Sequence, residues 1–529
     1  MEIRSTFLTI FIIFVLTISF TLLISMGGFL SHLEPVNNLA VLNATCGPIR
    51  GNIYKHNGKI VDGYLGIPFA KAPVGELKFK KPVAAEKWEE PIDCFKYGPA
   101  CPQSGYFGKT MIPKDFHVGE DNCLTLNVFA PRWRSEELPK GLPVMVYFYG
   151  GGFEIGSSSF YHDYSLSGTL PLKDVVLVTA NYRVGPLGFL TTGDNVAKGN
   201  YGLWDQTLAL KWVQEHIQSF GGDPDNVTIF GTSAGGASVD MLALSPHSNN
   251  SESLLSWYMA QDPSKFLDVE GFERPASGFL SFVANMDGDF FPKPFDELRR
   301  EAPKIDVMAQ VGEYEGLGYE LYFPKNVSPE EIFSLVYGSD IVGDNSEVAM
   351  DVMNAYMEGV DKSNQTDVVK KLVEFIGDVW FNHGPFDSAR SCTKYGNNAY
   401  LSSFDYFSKE SNNSWLDWLP FKAASHGTDL KYILGIDGVS NFTPSEEELK
   451  VMDMMATFVS NFAKYGNPNG RNQPEVWKKY NLDQPEQYFK IDYPKCEMRD
   501  HFQNGRLKVI DEANKKNKKY QEIIYGKKI

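Results

Sequence analysis

The chain has 529 residues, 43% hydrophobic and 14% aromatic, which excludes a disordered polymer and is ample for a large buried core. Its formal net charge of −16 excludes a nucleic-acid binder, because phosphate recognition needs a basic face. No pair of its six cysteines has CxxC spacing, which argues against a zinc site, and the even count permits disulfides.

In chain order, Arg4 precedes an uncharged run at residues 7–30, FLTIFIIFVLTISFTLLISMGGFL. The run is long for a secretory signal and long enough for a membrane anchor, while Ser25-Met26-Gly27 offers small residues to a signal peptidase. Residues 1–30 are therefore expected to act as a signal peptide or a signal anchor. Either outcome sends the chain into the secretory pathway, secreted or anchored with the rest of the molecule lumenal or extracellular. Sequons at Asn43, Asn226, Asn249, Asn326, Asn364, Asn412 and Asn441 agree with a glycosylated product. Cys101 and Cys123 are the best-placed local cysteine pair, and closing a loop of that size contributes about 3 kcal/mol. Cys46 with Cys94 is a second pairing to test, with Cys392 and Cys496 open.

No internal repeat or long linker interrupts residues 31–515, which read as one domain, and 516–529 reads as a basic, solvated tail. Apolar runs alternate with helical patterns, the signature of a mostly parallel central sheet with helices on both faces. LPVMVYFYG (142–150) is a buried-strand pattern ending in three glycines, and DVVLVTANYR (174–183) is another strand. DQTLALKWVQEHIQSFG (205–221) predicts a helix, NVTIFG (226–231) a short strand, AGGASVDMLALS (234–245) a helix and IDVMAQVGEYEG (305–316) a strand with an acidic end.

Between the strand 226–231 and the helix 234–245 stands Gly231-Thr232-Ser233-Ala234-Gly235, a GxSxG sequence. A strand turning sharply into a helix strains its apex residue, tolerates only small neighbours, and exposes the apex hydroxyl beside a helix N-terminus. That chemistry needs a base, an acid to orient the base, and donors for an oxyanion. Four histidines follow Ser233. His247 comes too early for an acid on a later strand to intervene, His383 ends a helical, aromatic run and reads as packed, and His501 lies in a charged stretch. His426, flanked by small residues in FKAASHGTDLKYILG, is the expected base. Glu315, which closes the strand 305–316, is the expected acid, ahead of Glu313 and Glu320. The glycines of YGGGF (149–153) allow N–H groups to converge, so Gly151, Gly152 and Ala234 are the expected oxyanion donors. This chemistry calls for no metal and no organic cofactor.

These residues resemble the type-B carboxylesterase family of α/β-hydrolases, which includes the cholinesterases. The resemblance also rests on GEDNCLTLNVFAP (119–131), NYRVGPLGFL (181–190), the block 199–238, DGDFFP (287–292) and HGTDLKYILG (426–435). It implies a small-molecule ester substrate, the triad Ser233, Glu315 and His426, the oxyanion hole Gly151, Gly152 and Ala234, and a Cys101–Cys123 disulfide. It also implies two departures. Cholinesterases carry an acidic residue before the nucleophile, where this chain has Thr232, and a choline-stacking tryptophan in the first disulfide loop, where this chain has none. A general esterase for neutral, apolar esters is expected instead. In the family a parallel strand and its helix follow LALSPHS; here NNSESLLSWYMAQDPSKF follows directly. The expected consequence is a missing strand between those bearing the serine and the glutamate, with FLSFVAN (279–285) as a substitute, or a shift of Glu315 by about one strand spacing, 4.8 Å. A splice form or gene-model omission would explain it. The competing expectations are a catalytically impaired splice form and a non-catalytic extracellular interaction protein of the same fold.

Overall fold

The structure is a computed structural model that describes residues 39–103, 118–119, 122–248, 254–259, 282–319, 328–338, 346–408, 419–435 and 442–526. The segment 7–30 and the sequons at Asn249, Asn326, Asn412 and Asn441 lie outside these residues. Among the described residues no helix is long and apolar enough to cross a membrane.

Among the described residues, thirteen strands build one mixed sheet: β1 Ala40–Ala44, β2 Gly47–His56, β3 Lys59–Pro68, β4 Ile92–Cys94, β5 Thr125–Pro131, β6 Leu142–Phe148, β7 Val176–Ala180, β8 Gly222–Thr232, β9 Leu254–Met259, β10 Val307–Gly312, β11 Ala399–Phe404, β12 Tyr488–Ile491 and β13 Glu497–Arg499. The spatial order is β1-β2-β3-β5-β7-β6-β8-β9-β10-β11-β12-β13, with β4 beside β2. From β7 to β12 every neighbour is parallel; the outer pairs along this order are antiparallel, and β4 joins β2 in parallel. Strands covered on both faces read as near-continuous apolar runs, and the polar residues they bury, such as Asn127 and Gln310, are hydrogen-bonded. Every residue of β5, β6, β7, β10 and β11 is accordingly buried.

Three sequence expectations need correction. The strand between the serine and the glutamate is present: β9 pairs with β8 from Val227↔Leu254 to Thr232↔Met259 and with β10 from Val307↔Ser256 to Gln310↔Met259. Its sequence, LLSWYM, is a short apolar run that periodicity alone cannot separate from a helix segment. Residues 282–285 of FLSFVAN form no strand. Second, the terminal segment is docked rather than solvated as far as residue 526: Lys518–Tyr525 is a helix, with Tyr520 and Ile523 buried. Lys518 and Glu522 on its outer face are exposed, while Tyr520 and Ile523 face inward. Third, Cys46, Cys94, Cys392 and Cys496 are free thiols, whereas Cys101 and Cys123 form the implied disulfide.

A buried ion pair ties the loop after β7 to the helix Tyr201–His216. Arg183 donates through Nε and Nη2 to Asp205 at 2.8 and 2.7 Å, and its backbone N–H donates to the same carboxylate at 3.0 Å. Burial pushes the Asp205 carboxyl up, and the guanidinium pulls it back.

Candidate active site

The parallel strands deliver their carboxyl ends to one edge of the sheet. β8 ends at Thr232, Ser233 follows, and the helix Ala234–Leu244 begins at once. Ser233 has φ 58° and ψ −131°, a conformation that an L residue holds only when its surroundings enforce it. The small residues around it have a steric cause. A Cβ on Gly231 would lie 2.5 Å from the Gly235 carbonyl carbon, and one on Gly235 would collide with the Phe148 carbonyl oxygen and lie 2.7 Å from that of Tyr149. The turn closes only because both positions lack a side chain.

The glycine loop after β6 packs against this apex. A Cβ on Gly150 would lie 2.6 Å from the Thr232 carbonyl oxygen and 2.7 Å from Ser233 Cβ. Gly150 is thus the glycine that sequence reasoning passed over; its place at the end of β6, the immediate neighbour of β8, was the available signal. Two locks hold the loop. Tyr149 and Tyr182 stack with centroids 4.3 Å apart, and each phenol donates to the other's carbonyl at 2.7 Å. Gln103, beside the disulfide, accepts from Gly156 N–H and donates to Gly156 C=O, both at 2.9 Å. The N–H groups of Gly151, Gly152 and Ala234 donate to no acceptor among the described residues.

The expected acid and base meet. His426 Nδ1 lies 2.7 Å from Glu315 Oε2, with Glu315 only 3% exposed. Glu315 does not close β10 as its sequence position indicated. The strand ends at Gly312, and Glu315 folds back over it, its Oε1 accepting the Gly312 N–H. The base loop reaches the elbow: a Cβ on Gly427 would lie 4.0 Å from Thr232 Cγ2, and one on Gly312 would lie 3.1 Å from the Ser425 carbonyl oxygen. His426 Nε2 is buried and has no hydrogen-bond partner among the described residues. That leaves its lone pair or proton for a bound molecule or the serine.

Asp429 is a further acidic group that the sequence reading did not single out. It is buried, Gln310 Nε2 donates to it at 2.6 Å, and its carboxyl is pushed up to about 6 by burial and by the Glu315 charge. The other histidines stand elsewhere. His383 is wholly buried on its helix against Asp511 at 3.0 Å, His501 is exposed, and His247 sits against Trp204 with ring centroids 4.7 Å apart. Among the described residues no cluster of His, Cys, Asp or Glu is arranged to hold a metal ion.

The model of the carboxylesterase family matches residues 38–252 and 247–510, two segments that overlap just beyond the elbow helix. The chain is 50% identical to Esterase cest-33 of Caenorhabditis elegans over 549 residues, covering 95% of this chain and 99% of that protein. It is 30% identical to Carboxylesterase 1E of Mus musculus, covering 90% and 94%, and 30% identical to Cholinesterase of the same species, covering 86% of each.

Proposed function

The chain belongs to the carboxylesterase family, an α/β-hydrolase family of ester-hydrolysing enzymes, and from that premise we propose that Ser233, His426 and Glu315 hydrolyse neutral, apolar carboxylic esters through an acyl-enzyme. The observation that carries this reading is the Glu315–His426 contact of 2.7 Å beside a strained serine elbow.

His426 Nε2 takes the proton from Ser233 Oγ as the hydroxyl attacks the ester carbonyl. Glu315 stays ionised; it holds the Nδ1–H tautomer and stabilises the imidazolium that forms. The tetrahedral oxyanion is held by the N–H groups of Gly151, Gly152 and Ala234, and one such donor is worth about 3 kcal/mol in the transition state. The imidazolium then protonates the departing alkoxide. Water then attacks the acyl carbon as it gives a proton to the same nitrogen, and that proton passes to Ser233 Oγ as the acyl C–O bond breaks, which releases the carboxylic acid and restores the serine.

Neutral substrates are supported by Thr232, uncharged beside the nucleophile, and by the absence of tryptophan between Cys101 and Cys123. Both features remove attraction for a quaternary ammonium group. A shortened crossover after β9 is part of the same reading. The aligned span of 549 residues with the nematode esterase exceeds the 529 residues of this chain, so this chain lacks positions present there. The β8-β9-β10 register supports an active site that tolerates the loss. Entry into the secretory pathway is supported by the uncharged run 7–30 and the disulfide, with Asn43 and Asn364 exposed on the surface as glycan acceptors.

The test is labelling with a fluorophosphonate, which reacts with an activated serine. Wild-type protein should take up one label, at Ser233, and Ser233→Ala none. Folded wild-type protein that stays unlabelled, or is labelled at another serine, rejects the proposal. Turnover of a p-nitrophenyl acyl ester against a choline ester checks the substrate class, and a preference for choline would reject it.

A further inference from the structure

Residues 365–394 form one helical rod that changes pitch midway. Gln365–Gly377 and His383–Lys394 are α-helical, and Asp378–Asn382 between them is a π turn. A π turn weakens local hydrogen-bond geometry and re-aims the side chains that follow it. Here it presents Phe381 to His426, with ring centroids 4.2 Å apart and planes inclined by 33°. Tyr319 closes the group, 4.9 Å from Phe381 and 5.6 Å from His426. The same rod touches the acid loop, since a Cβ on Gly316 would lie 2.6 Å from Gly377 N. One element therefore braces both partners of the dyad.

What holds the π turn is Asp378, fully buried and four times hydrogen-bonded. Arg506 donates to it through Nε at 2.6 Å and Nη2 at 3.2 Å, Tyr356 through its hydroxyl at 2.7 Å, and Asn382 through Nδ2 at 2.7 Å. The Asn382 bond spans the π turn itself. A carboxylate with no access to water persists only when paired in this way.

We propose that Asp378 and Phe381 are positioning residues for the base: the clamped π turn holds Phe381 on one face of the His426 ring and fixes the plane in which Nε2 points. A hydrogen bond to Nδ1 fixes one point of an imidazole and leaves the ring free to turn about it; a face contact removes that freedom. The inference rests on reading His426 as the base.

Four variants test it: Phe381→Leu, Phe381→Tyr, Asp378→Asn and Tyr356→Phe. Each is measured for kcat and KM on a p-nitrophenyl ester and for the downfield proton resonance of the Nδ1–H bonded to Glu315. Phe381→Leu should lower kcat by about 10- to 100-fold, as a small misplacement of a catalytic group does, with KM unchanged and the downfield resonance broadened. Phe381→Tyr keeps the face and should retain wild-type kcat and a sharp resonance. Asp378→Asn should reproduce the leucine pattern. If it fails to fold, Tyr356→Phe decides: a lower kcat at unchanged KM supports the clamp, and wild-type kcat overturns it. Wild-type kcat and a sharp resonance in Phe381→Leu overturn the whole inference. An inactive, unlabelled wild-type protein would instead overturn the catalytic reading, leaving the resonance to report on Phe381.

Discussion

Glu315 Oε2 and His426 Nδ1 stand 2.7 Å apart although the two residues are 111 positions apart in the chain. The contact exists because β10 ends at Gly312 and the chain folds back, so the carboxylate points at the loop after β11 instead of into solvent. Replacing Glu315 by Gln preserves size and removes the charge that stabilises the imidazolium. An uncharged partner at such a site typically lowers kcat by roughly 10³- to 10⁴-fold. Steady-state kinetics on a p-nitrophenyl ester should show that fall with KM little changed, and a loss below tenfold would contradict the assigned role.

Asp429 gives a pH signature. Its carboxyl is pushed up to about 6 by burial and by Glu315, and His426 attracts its anion. The groups facing it are Glu315, His426, the Gln310 amide and the Leu430 N–H. Above about pH 6 its negative charge favours the imidazolium, which is the inactive form of the proposed base. Asp429→Asn removes that charge, so the acid limb of the kcat/KM profile should move to lower pH. A shift to higher pH, or none, would show that the two groups do not interact.

Glu313 gives the corresponding signature in stability. Burial and the neighbouring Asp405 and Asp492 carboxylates push its pKa up to about 7 from an ordinary 4.5. The folded state therefore binds this proton more tightly than the unfolded chain. Its contribution is fully present below pH 4.5 and is lost as pH rises to about 7. Glu313→Gln removes the loss, so urea denaturation should show a gain of about 1 kcal/mol at pH 8, discounted for the group's partial exposure, and none at pH 4. A gain at pH 4 alone would reverse the sign of the argument.

Some of this was legible in the sequence for physical reasons. Ser233 announced itself because a strand-to-helix turn of that sharpness admits only glycine at positions 231 and 235, and glycine at a fixed spacing is visible. That His426 and Glu315 meet was expected from elimination among the histidines and from the place of Glu315 just beyond an apolar run, although the turn that carries Glu315 was not legible. β9 was hidden because six residues, five of them apolar, carry no period of their own. Phe381 and Asp378 were hidden for another reason. A π turn has the composition of an α-helix, and its role depends on what it faces across the fold.

The Arg183–Asp205 pair tests how the loop after β7 holds the helix Tyr201–His216. Arg183 is 1% exposed and Asp205 wholly buried, so removing one partner leaves the other charged and dry. Such losses cost about 3–5 kcal/mol. Asp205→Ala should lower stability by that amount in urea denaturation, whereas Lys211→Ala, which breaks an exposed pair with Glu215 on the same helix, should change it by less than about 1 kcal/mol. Equal effects would mean that burial does not govern the energetics here.

Gly150 carries the last prediction, because it separates packing at the elbow from the chemistry of the proposed triad. None of its atoms is needed for proton transfer, and its φ is not positive, so alanine meets no backbone strain there. The obstacle is purely steric, with a new Cβ 2.7 Å from Ser233 Cβ and 2.6 Å from the Thr232 carbonyl oxygen. Real carbon atoms do not approach so closely, so either the glycine loop must withdraw, carrying Gly151 and Gly152 away from the elbow, or the serine must move. Displacements of that kind cost on the order of 100-fold in rate. Gly150→Ala should therefore lose fluorophosphonate labelling rate and kcat together while its urea midpoint stays close to wild type. If labelling proceeds at the wild-type rate, the loop and the elbow are not packed as described, and the oxyanion role of the two following glycines loses its geometric basis.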